Sequence, residues 1–391
     1  MSAQDNSNMP EPTDGSEMSR QTTSASTATD DLNDYIFVKR KKRHKKHKVR
    51  KILLIVFACL AGFVALTVST VFILQSIGHD KLLDYQDVDM SAPVIDDVPV
   101  QTNQDGKIVF YNGKTYRFNE TVTSILCMGV DKEELVLENN TIGTAGQADA
   151  DFLVALDTAT GKITVINISR DTMVDVNLYS ESGQFLQTDQ MQLCLSYAYG
   201  DGKETSCENT VRSVSRLFYG LPIHSYFAID LEAISVLNDT VGGVEVTLQE
   251  NMQSPYGGTL SAGDTVVLVG DEAERYVRYR DSEQLDSNNS RMERQKNYLQ
   301  SFLNKALTST KKDLSVPLKL YEAASPYMVT NLSVDKVTYL ALNSISHGGM
   351  EPVFESVPGT VKQGEKYAEF YPDEKALYEM ILQVFYTEVK E

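Results

Sequence analysis

The longest uninterrupted apolar stretch of the chain covers residues 52–78, which contain no charged side chain. About 20 apolar residues are enough to cross the hydrocarbon core of a bilayer. The alternative is a buried core helix, but a helix of this length without a polar face is uncommon in a soluble core. Because no small-x-small cleavage site follows, we predict an uncleaved transmembrane helix over residues 52–78 and not a signal peptide that is removed.

After residue 103 the apolar positions alternate between strand and helix patterns. Two β-rich runs flank Asn112 and Gly113, a dipeptide typical of tight hairpin turns, so residues 104–122 are predicted to form a β-hairpin lead-in. Strands are predicted over residues 123–131, 152–156, 163–168 and 244–248. Helical spacing predicts helices over residues 190–199, 208–218, 231–238, 271–277, 291–307 and 373–389. Strands and helices interleave without an internal repeat, so residues 123–391 are predicted to be one α/β domain.

The segments around the apolar stretch differ sharply in composition. Residues 39–51 contain ten Lys and Arg and are predicted to be a basic juxtamembrane segment. Residues 1–38 are rich in Ser, Thr, Asp and Asn, which predicts a disordered tail. Residues 79–103 contain scattered Pro and Asp and are predicted to be a stalk.

The placement of charge predicts the orientation of the chain in the membrane. Basic residues beside a transmembrane helix favour the cytoplasmic side, so we predict a single-pass protein of the cell membrane with a cytoplasmic N-terminus and an extracytoplasmic C-terminal domain. The whole chain has a net charge of −18, and the part beyond Lys51 has 25 basic and 47 acidic residues, a net charge of −22. This acidity argues against a nucleic-acid partner, and attraction to anionic lipid accounts for the basic run.

Cysteine and histidine offer little chemistry in this chain. There are four Cys and five His, without a CxxC motif or a His cluster, so a zinc site is not predicted. Cys194 and Cys207 could close a short disulfide loop outside the cell, but the sequence leaves their pairing open. Two of the five His lie in the basic run, so a catalytic His is poorly supported.

Carboxylates lie at the ends of three predicted strands. Asp131 ends the first strand, Asp149 and Asp151 precede the second, and Asp171 follows Arg170 at the end of the third. Ligands of α/β proteins gather at strand ends, and carboxylate oxygens suit a hard divalent ion such as Mg²⁺. Helix capping and turn formation are the alternative roles for any single Asp.

Arginines are concentrated between residues 275 and 294, where five of them lie in an otherwise acidic domain. Arg278 and Arg280 are two residues apart, so on an extended stretch they would point to the same side. Arg291 and Arg294 are three residues apart and share one helical face. Guanidinium groups match phosphate oxygens in bidentate fashion, which predicts an anion site, while a surface network with neighbouring acids is the open alternative. Acids for a metal, several arginines and a membrane anchor together suggest a pyrophosphate on a lipid carrier.

Several ordered blocks of the chain resemble the LytR-CpsA-Psr proteins of bacterial cell envelopes. The resemblance runs from about residue 123 to residue 389. The blocks are ILCMGVD at 125–131, GQAD at 146–149, VINISRDT at 165–172, AYG at 198–200, TVGGVEV at 240–246, VRYRD at 277–281 and RMERQ at 291–295. Each block alone is weak, but their order after a single N-terminal span is specific.

The resemblance implies a three-layer αβα sandwich around a mixed β-sheet, with a hydrophobic pocket for a polyprenyl chain. It implies a transferase of cell-wall biogenesis that moves a glycopolymer from undecaprenyl pyrophosphate to peptidoglycan through a phosphodiester bond. Teichoic acid and capsular polysaccharide are the implied types of cargo. The implied ion is Mg²⁺ or Mn²⁺, and the implied partners are the lipid-linked glycopolymer, peptidoglycan and the membrane.

The resemblance also implies roles for individual residues. Two acids, Asp131 and Asp149, match the residues that hold the metal. Four matched residues are implied to be catalytic: Arg170, Asp171, Arg278 and Arg280. Six are implied to bind the pyrophosphate: Arg170, Arg278, Arg280, Arg291, Arg294 and Gln295.

Three positions depart from the family pattern. Gln147 stands where the family often has Arg, so the resemblance predicts one phosphate contact fewer in this chain. Leu195 begins a block that usually starts with a polar Asn or His, and Ser290 stands where Gly often precedes the arginine block. These departures leave the acceptor and the cargo open.

Two other functions remain open from the sequence. The same residues would serve a polyprenyl-pyrophosphate hydrolase, in which water replaces the sugar hydroxyl as acceptor. The second open function is a non-enzymatic module, which would either bind envelope polymer or have a regulatory role of the transcriptional attenuator type.

Overall fold

The computed structural model describes residues 90–94, 100–103, 106–132, 142–253, 259–279 and 287–390. The tail, the basic segment and the transmembrane helix predicted over residues 1–78 lie outside these ranges. Within the described ranges, no helix combines the length and the apolar character needed to cross a membrane.

A small antiparallel sheet pairs the first described strands with the last one. Its strands are β1 (Val100–Thr102), β2 (Ile108–Tyr111), β3 (Lys114–Phe118) and β18 (Tyr386–Val389), in the order β1-β2-β3-β18. The predicted hairpin of β2 and β3 is confirmed. Asn112 and Gly113 at its turn have φ angles of 48° and 75°, the positive values that an Asn-Gly type I′ turn requires.

A six-stranded mixed sheet forms the centre of the fold. Its strands are β4 (Val122–Val130), β5 (Ala148–Asp157), β6 (Ile163–Ile168), β9 (Ser225–Ile229), β14 (Met328–Thr330) and β15 (Val353–Ser356), in the order β14-β9-β4-β5-β6-β15. The pairs β4–β9 and β6–β15 are parallel, and the other neighbours are antiparallel. The three strands predicted between residues 123 and 168 are confirmed, and their continuous apolar runs are typical of strands buried on both faces.

Helices cover this sheet on its two faces. On one face lie α1 (Cys194–Ala198) and α2 (Glu204–Leu217), which pack in the main core with Leu126, Met128 and Leu153. On the other face lie α3 (Glu232–Thr240), α4 (Asp271–Arg278) and α5 (Ser287–Lys312). Behind these helices, α6 (Val316–Ala324) packs on α3 and α5, and α7 (Val334–Ser346) packs on α5 and α6. The predicted α/β class with a mixed sheet is therefore confirmed.

The C-terminal helix α8 (Glu374–Phe385) links the small sheet to the main core. Its Leu377 and Ile381 pack in the main core. On the same helix Tyr378 and Leu382 pack against β2 of the small sheet. The helix therefore has apolar side chains in two separate clusters.

Four antiparallel pairs of strands complete the described fold. They are β7 (Met173–Tyr179) with β8 (Phe185–Gln192), β10 (Val244–Thr247) with β13 (Thr265–Leu268), β11 (Met252–Gln253) with β12 (Thr259–Leu260), and β16 (Gly359–Gln363) with β17 (Ala368–Pro372). The strand predicted at residues 244–248 is thereby confirmed. The first and last hairpins meet at a bridge between Thr172 and Phe370.

Two of the predicted helices are wrong in part. The helix predicted over residues 190–199 begins only at Cys194, because residues up to Gln192 belong to β8 and pair with β7. The helix predicted over residues 373–389 ends at Phe385, and the residues after it form β18, which pairs with β3. In both cases a partner strand elsewhere in the sequence overrides a local helical pattern. The other predicted helices are confirmed, with ends that differ by a few residues.

Candidate functional site

Charged side chains meet at one edge of the central sheet. Because β5 runs antiparallel to both β4 and β6, its amino end lies beside the carboxyl ends of those two strands. Asp131 directly follows β4, Asp149 is the second residue of β5, and Arg170 lies two residues after β6. The strand order thus brings the three predicted strand ends together.

A β-bulge turns Asp149 toward this edge. Gly129 pairs with Ala150 and Val130 pairs with Ala148, so Asp149 is the extra residue between two successive pairs. A bulge interrupts the alternation of side chains along a strand and re-aims the residue at that point. The carboxylate of Asp149 consequently contacts arginines from two other parts of the fold.

Arg170 is the centre of the charged cluster. Its Nη1 pairs with Asp149, and its Nη2 donates to Oε1 of Gln147 at 2.5 Å. The same Nη2 lies 3.4 Å from Sγ of Cys194, and Nε lies 3.7 Å from Oδ1 of Asp171. Four partners around a side chain that is 19% exposed hold the guanidinium in one orientation, as bidentate binding of an anion requires.

Arg291 reaches the same cluster from α5. Its Nη1 lies 3.5 Å from Oδ2 of Asp149, and its side chain is 8% exposed. Asp149 is therefore held between the guanidinium groups of Arg170 and Arg291. Anionic oxygens of a phosphate group favour the same kind of position between two guanidinium groups.

Arg278 and Asp131 form a more exposed pair at the rim of the cluster. Nη2 of Arg278 lies 3.9 Å from Oδ1 of Asp131, and its Nη1 donates to Oε1 of Glu274 at 2.9 Å. Arg278 does not lie on an extended stretch, the condition under which it would point to the same side as Arg280, because it is the last residue of α4 and pairs with Glu274 one turn earlier. Arg280 lies outside the described residues.

The Arg-x-x-Arg-Gln block divides between two environments. Arg291 and Gln295, about one helical turn apart, line the cavity described next. The side chain of Arg294 is 2% exposed and pairs with Glu250. It donates a hydrogen bond to the backbone carbonyl of Tyr279, and its Cζ lies 5.2 Å from the centre of the Tyr279 ring. The structure therefore does not bring Arg294 to the other site residues, and this arginine instead ties α5 to the end of α4.

A cavity of about 620 Å³ extends from the charged cluster between the sheet and helices α3 to α5. Its charged end is lined by Asp131, Asp149, Arg170, Arg278, Arg291 and Gln295. Most of the remaining wall is apolar and includes Phe152, Phe227, Ile229, Leu237, Phe302 and Leu303. Arg291 and Leu303 both line it and are twelve residues apart on α5, so the cavity runs about 18 Å along that helix.

Burial raises the pKa of two groups beside Arg170. Asp151 is fully buried, and neither of its carboxyl oxygens has a hydrogen-bond partner within the described residues. Burial, reinforced by the charge of Asp149, raises the pKa of Asp151 well above its usual range, although Arg170 opposes the shift. Burial also raises the pKa of Cys194 to about 11, again against the effect of Arg170. The disulfide that the sequence left open is not formed, since Cys194 and Cys207 are both free thiols.

The acids of the site suit a divalent ion that is shared with the ligand. Asp131 and Asp149 both line the charged end of the cavity. In the part of the chain that the structure describes, no three His, Cys, Asp or Glu side chains are grouped so as to hold a metal ion by themselves. Mg²⁺ is commonly bound through one or two carboxylates together with water and substrate phosphates. The two carboxylates therefore fit Mg²⁺ bound jointly with a phosphate-containing ligand.

The apolar wall contributed by β9 is a feature that sequence reasoning missed. In this strand Tyr226 and Ala228 pack in the main core, while Phe227 and Ile229 line the cavity. A short run that is apolar on both faces is typical of a strand covered on both sides. The apolar run of β9 could therefore have been found in the sequence, but such a run does not show whether a face of the strand is packed or lines a cavity.

Fold and site together define an α/β protein whose mixed sheet carries arginines and carboxylates at the mouth of an apolar cavity. The chain belongs to the LytR_cpsA_psr family, whose model matches residues 86–383. This confirms the family resemblance found in the sequence.

Individual relatives agree with this assignment. The chain is 24% identical over 274 residues to the polyisoprenyl-teichoic acid–peptidoglycan teichoic acid transferase TagU of Enterococcus faecalis, a match that covers 70% of this chain and 79% of that one. It is 26% identical over 234 residues to Biofilm regulatory protein A of Streptococcus mutans, covering 58% of this chain and 54% of that one. The crystal structure of B. subtilis TagV superposes with a TM-score of 0.51 at 20% identity, covering 67% of this chain and 95% of that one, which shows a shared fold.

Proposed function

We propose that the protein is a membrane-anchored transferase that moves an undecaprenyl-pyrophosphate-linked glycopolymer onto peptidoglycan through a phosphodiester bond. The observation that carries the proposal is the position of Asp149 between Arg170 and Arg291 at the charged end of a 620 Å³ apolar cavity. A ligand with an anionic head and a long apolar tail matches both ends of that cavity. The name of the E. faecalis relative, a teichoic acid transferase, supports this class of reaction.

The apolar wall would hold the prenyl chain. Phe152, Phe227, Phe302 and Leu303 offer aromatic and branched surface without a hydrogen-bonding demand. The hydrophobic effect has no directional preference, so this part of the cavity would supply affinity for the prenyl chain. The charged end would determine which group reacts.

The charged end would hold the pyrophosphate and stabilise the leaving group. An acceptor hydroxyl oxygen attacks the phosphorus that bears the glycopolymer, and a new phosphorus–oxygen bond forms. The bond from that phosphorus to the bridging oxygen breaks, and polyprenyl monophosphate leaves with the electron pair. Arg170, Arg291 and Arg278 are placed to stabilise this charge, and Arg280 is proposed to join them. The hydroxyl proton passes to a carboxylate, Asp171 or Asp149, or to solvent.

Asp131 and Asp149 are the residues that would hold Mg²⁺ or Mn²⁺. When bound, the ion supplies charge neutralisation to the pyrophosphate oxygens. The protein's own groups would position the reacting atoms, and such positioning is a large part of catalysis in phosphoryl transfer.

The predicted transmembrane helix at residues 52–78 would keep the domain at the membrane surface where a lipid-linked donor resides. The basic segment at residues 39–51 would fix the N-terminus in the cytoplasm. The peptidoglycan acceptor and the domain then share the extracytoplasmic side.

The proposal is tested with the full chain in detergent, Mg²⁺, a polyprenyl-pyrophosphate-linked N-acetylglucosamine donor and a soluble fragment of peptidoglycan glycan strand. Products are identified by mass spectrometry. We expect Arg170→Ala to lower the rate of transfer about 100-fold or more, because an oriented cationic donor is lost. The matched control is Arg212→Ala, since Arg212 lies on α2, lines neither end of the cavity and donates to the hydroxyl of Tyr179. Full transfer by the Arg170 variant would contradict the assigned role, and release of the sugar phosphate to water without transfer would indicate a hydrolase.

A regulatory module is the second candidate, favoured by the name of the S. mutans relative, Biofilm regulatory protein A. Such a module would bind the lipid pyrophosphate without consuming it. Tight binding of the donor by the wild-type protein, with neither transfer nor hydrolysis in the same assay, would support this reading.

A further inference from the structure

A second, smaller cavity lies beside the charged cluster. It has a volume of about 280 Å³. The loop before β5 contributes Gly143, Thr144, Gly146 and Gln147 to its wall, and α1 together with the residue after it contributes Leu195, Ala198 and Tyr199. Pockets for drug-sized ligands begin at about 300 Å³, so this cavity suits a single ring.

The two cavities meet at one pair of side chains. Gln147 lines the small cavity, and its Oε1 accepts a hydrogen bond from Nη2 of Arg170, which lines the large cavity. Cys194 also contacts Nη2 of Arg170, and the next residue of α1, Leu195, lines the small cavity. A ligand in the small cavity would therefore lie next to the guanidinium proposed to bind the pyrophosphate.

The wall of the small cavity combines a small-residue surface, one aromatic ring and polar groups. The backbone N–H of Gly143 donates to the carbonyl of Ala198 at 2.7 Å, which holds the loop against α1. Gly143 and Gly146 have φ angles of +91° and +88°, a conformation that other residues rarely adopt, so both positions of the loop favour glycine. Sugar rings suit such a site, because their C–H faces pack on an aromatic ring and their hydroxyls bond to amide and hydroxyl groups like those of Gln147 and Thr144.

Two of the three departures from the family pattern lie in this wall. By the family resemblance noted in the sequence, Gln147 stands where Arg is frequent and Leu195 where a polar Asn or His is usual, and both residues line the small cavity. The large cavity has neither of these positions in its wall. Gln147 and Leu195 thus give this cavity a wall that differs from the one the resemblance implies, as expected of a site that sets specificity.

We infer that the small cavity binds a sugar ring of the acceptor glycan, and that Gln147, Leu195 and Tyr199 determine which acceptor is used. The inference rests on the proposed transferase function and adds the position of the second substrate. An acceptor hydroxyl there would lie near Arg170, which the proposed function places at the pyrophosphate. The sugar attached to the donor has the same chemistry, and the experiment separates the two sources.

The test measures KM for each substrate separately with the full chain in detergent, using the donor and the glycan-strand fragment named above. Tyr199→Ala removes the aromatic surface, and we expect the acceptor KM to rise about tenfold while the donor KM stays within about twofold. Leu195→Asn changes the wall without removing the ring, and we expect it to change the ratio of kcat/KM between two glycan fragments that differ in one sugar substituent. The matched control is Phe185→Ala, which removes a ring that is 57% exposed on the β7–β8 hairpin, outside both cavities.

Each outcome bears on one claim. A raised donor KM with an unchanged acceptor KM would overturn the acceptor assignment and place the donor sugar in the cavity. Unchanged constants for both Tyr199→Ala and Leu195→Asn, with active wild-type protein, would overturn the inference and leave the proposed function intact. If the wild-type protein makes no product, the proposed function fails. In that case, binding of the glycan fragment alone is measured by titration. The inference then requires that the wild-type protein binds the fragment and that Tyr199→Ala binds it about tenfold more weakly.

Discussion

The two faces of the central sheet are built from the same strands but are covered differently. Leu126 and Leu153 lie fully buried under α1 and α2 in the main core. Their neighbours Cys127, Phe152 and Val154 point to the opposite face and line the large cavity. Alternation along the strands supplies apolar side chains to both faces. Whether a face becomes core or binding site depends on how closely the covering helices approach.

The largest effect is expected on the packed face. Leu126→Ala removes a fully buried side chain from the main core. Because neighbouring side chains refill such a space only partly, we expect a loss of about 4 kcal/mol in the free energy of unfolding. Denaturant titration of the full chain measures it. A loss below about 1 kcal/mol would show that this face is as loosely packed as the other.

Two arginines on α5 sharpen the comparison. Arg294→Met leaves Glu250 and the carbonyl of Tyr279 without their partner, so we expect a loss of about 3 kcal/mol in stability. Arg291→Met, three residues earlier, removes a contact to Asp149 at the mouth of the cavity. We expect Arg291→Met to lose mainly affinity for farnesyl pyrophosphate, measured by calorimetry. If both variants lose only stability, or both lose only affinity, the two arginines do not have the separate roles assigned to them.

A histidine beside the start of β4 predicts a pH dependence of stability. Nδ1 of His224 accepts a hydrogen bond at 3.1 Å from the backbone N–H of Ser124 in β4. Burial, assisted by Lys336, lowers the pKa of His224 to about 4, below the value of about 6.5 for an unfolded chain. The unfolded state therefore binds a proton more readily, and stability is complete above pH 6.5 and declines as the pH falls toward 4.

From pH 7 to pH 5 this histidine should account for a loss of about 2 kcal/mol. Unfolding of the wild-type protein and of His224→Asn is compared at both pH values. Other titrating groups are common to the two proteins, so the difference isolates His224. An identical pH dependence in both would contradict the prediction.

The smallest effect on stability is expected on the cavity face. Leu303→Ala makes the same chemical change as Leu126→Ala, but at the wall of an existing cavity. We expect a loss of less than about 1 kcal/mol in stability and a several-fold loss of affinity for farnesyl pyrophosphate, since prenyl contacts disappear. Affinity for inorganic pyrophosphate serves as the control and should not change. A stability loss equal to that of Leu126→Ala would show that the cavity closes in solution.

Local patterns predicted much of the fold. The Asn112–Gly113 hairpin and strands β4 to β6 follow from turn chemistry and apolar runs that a short window contains. β8 and β18 were not predictable in this way, because each is a strand only through pairing with β7 or β3. Helical spacing was present in both segments, and cross-strand hydrogen bonds overrode it.

The sequence by itself determined the family, the α/β class and the chemistry of the site, because Asp131, Asp149 and Arg170 lie within three residues of apolar runs whose length is typical of strands. Tertiary structure decided which charged groups meet. A bulge turns Asp149 toward Arg170 and Arg291, and bulges depend on the partner strand. Arg291 and Arg294 differ by about 60° around α5, enough for one to reach the cavity and the other to be covered by Glu250. Such choices depend on the elements packed against each residue, which no short stretch of sequence contains.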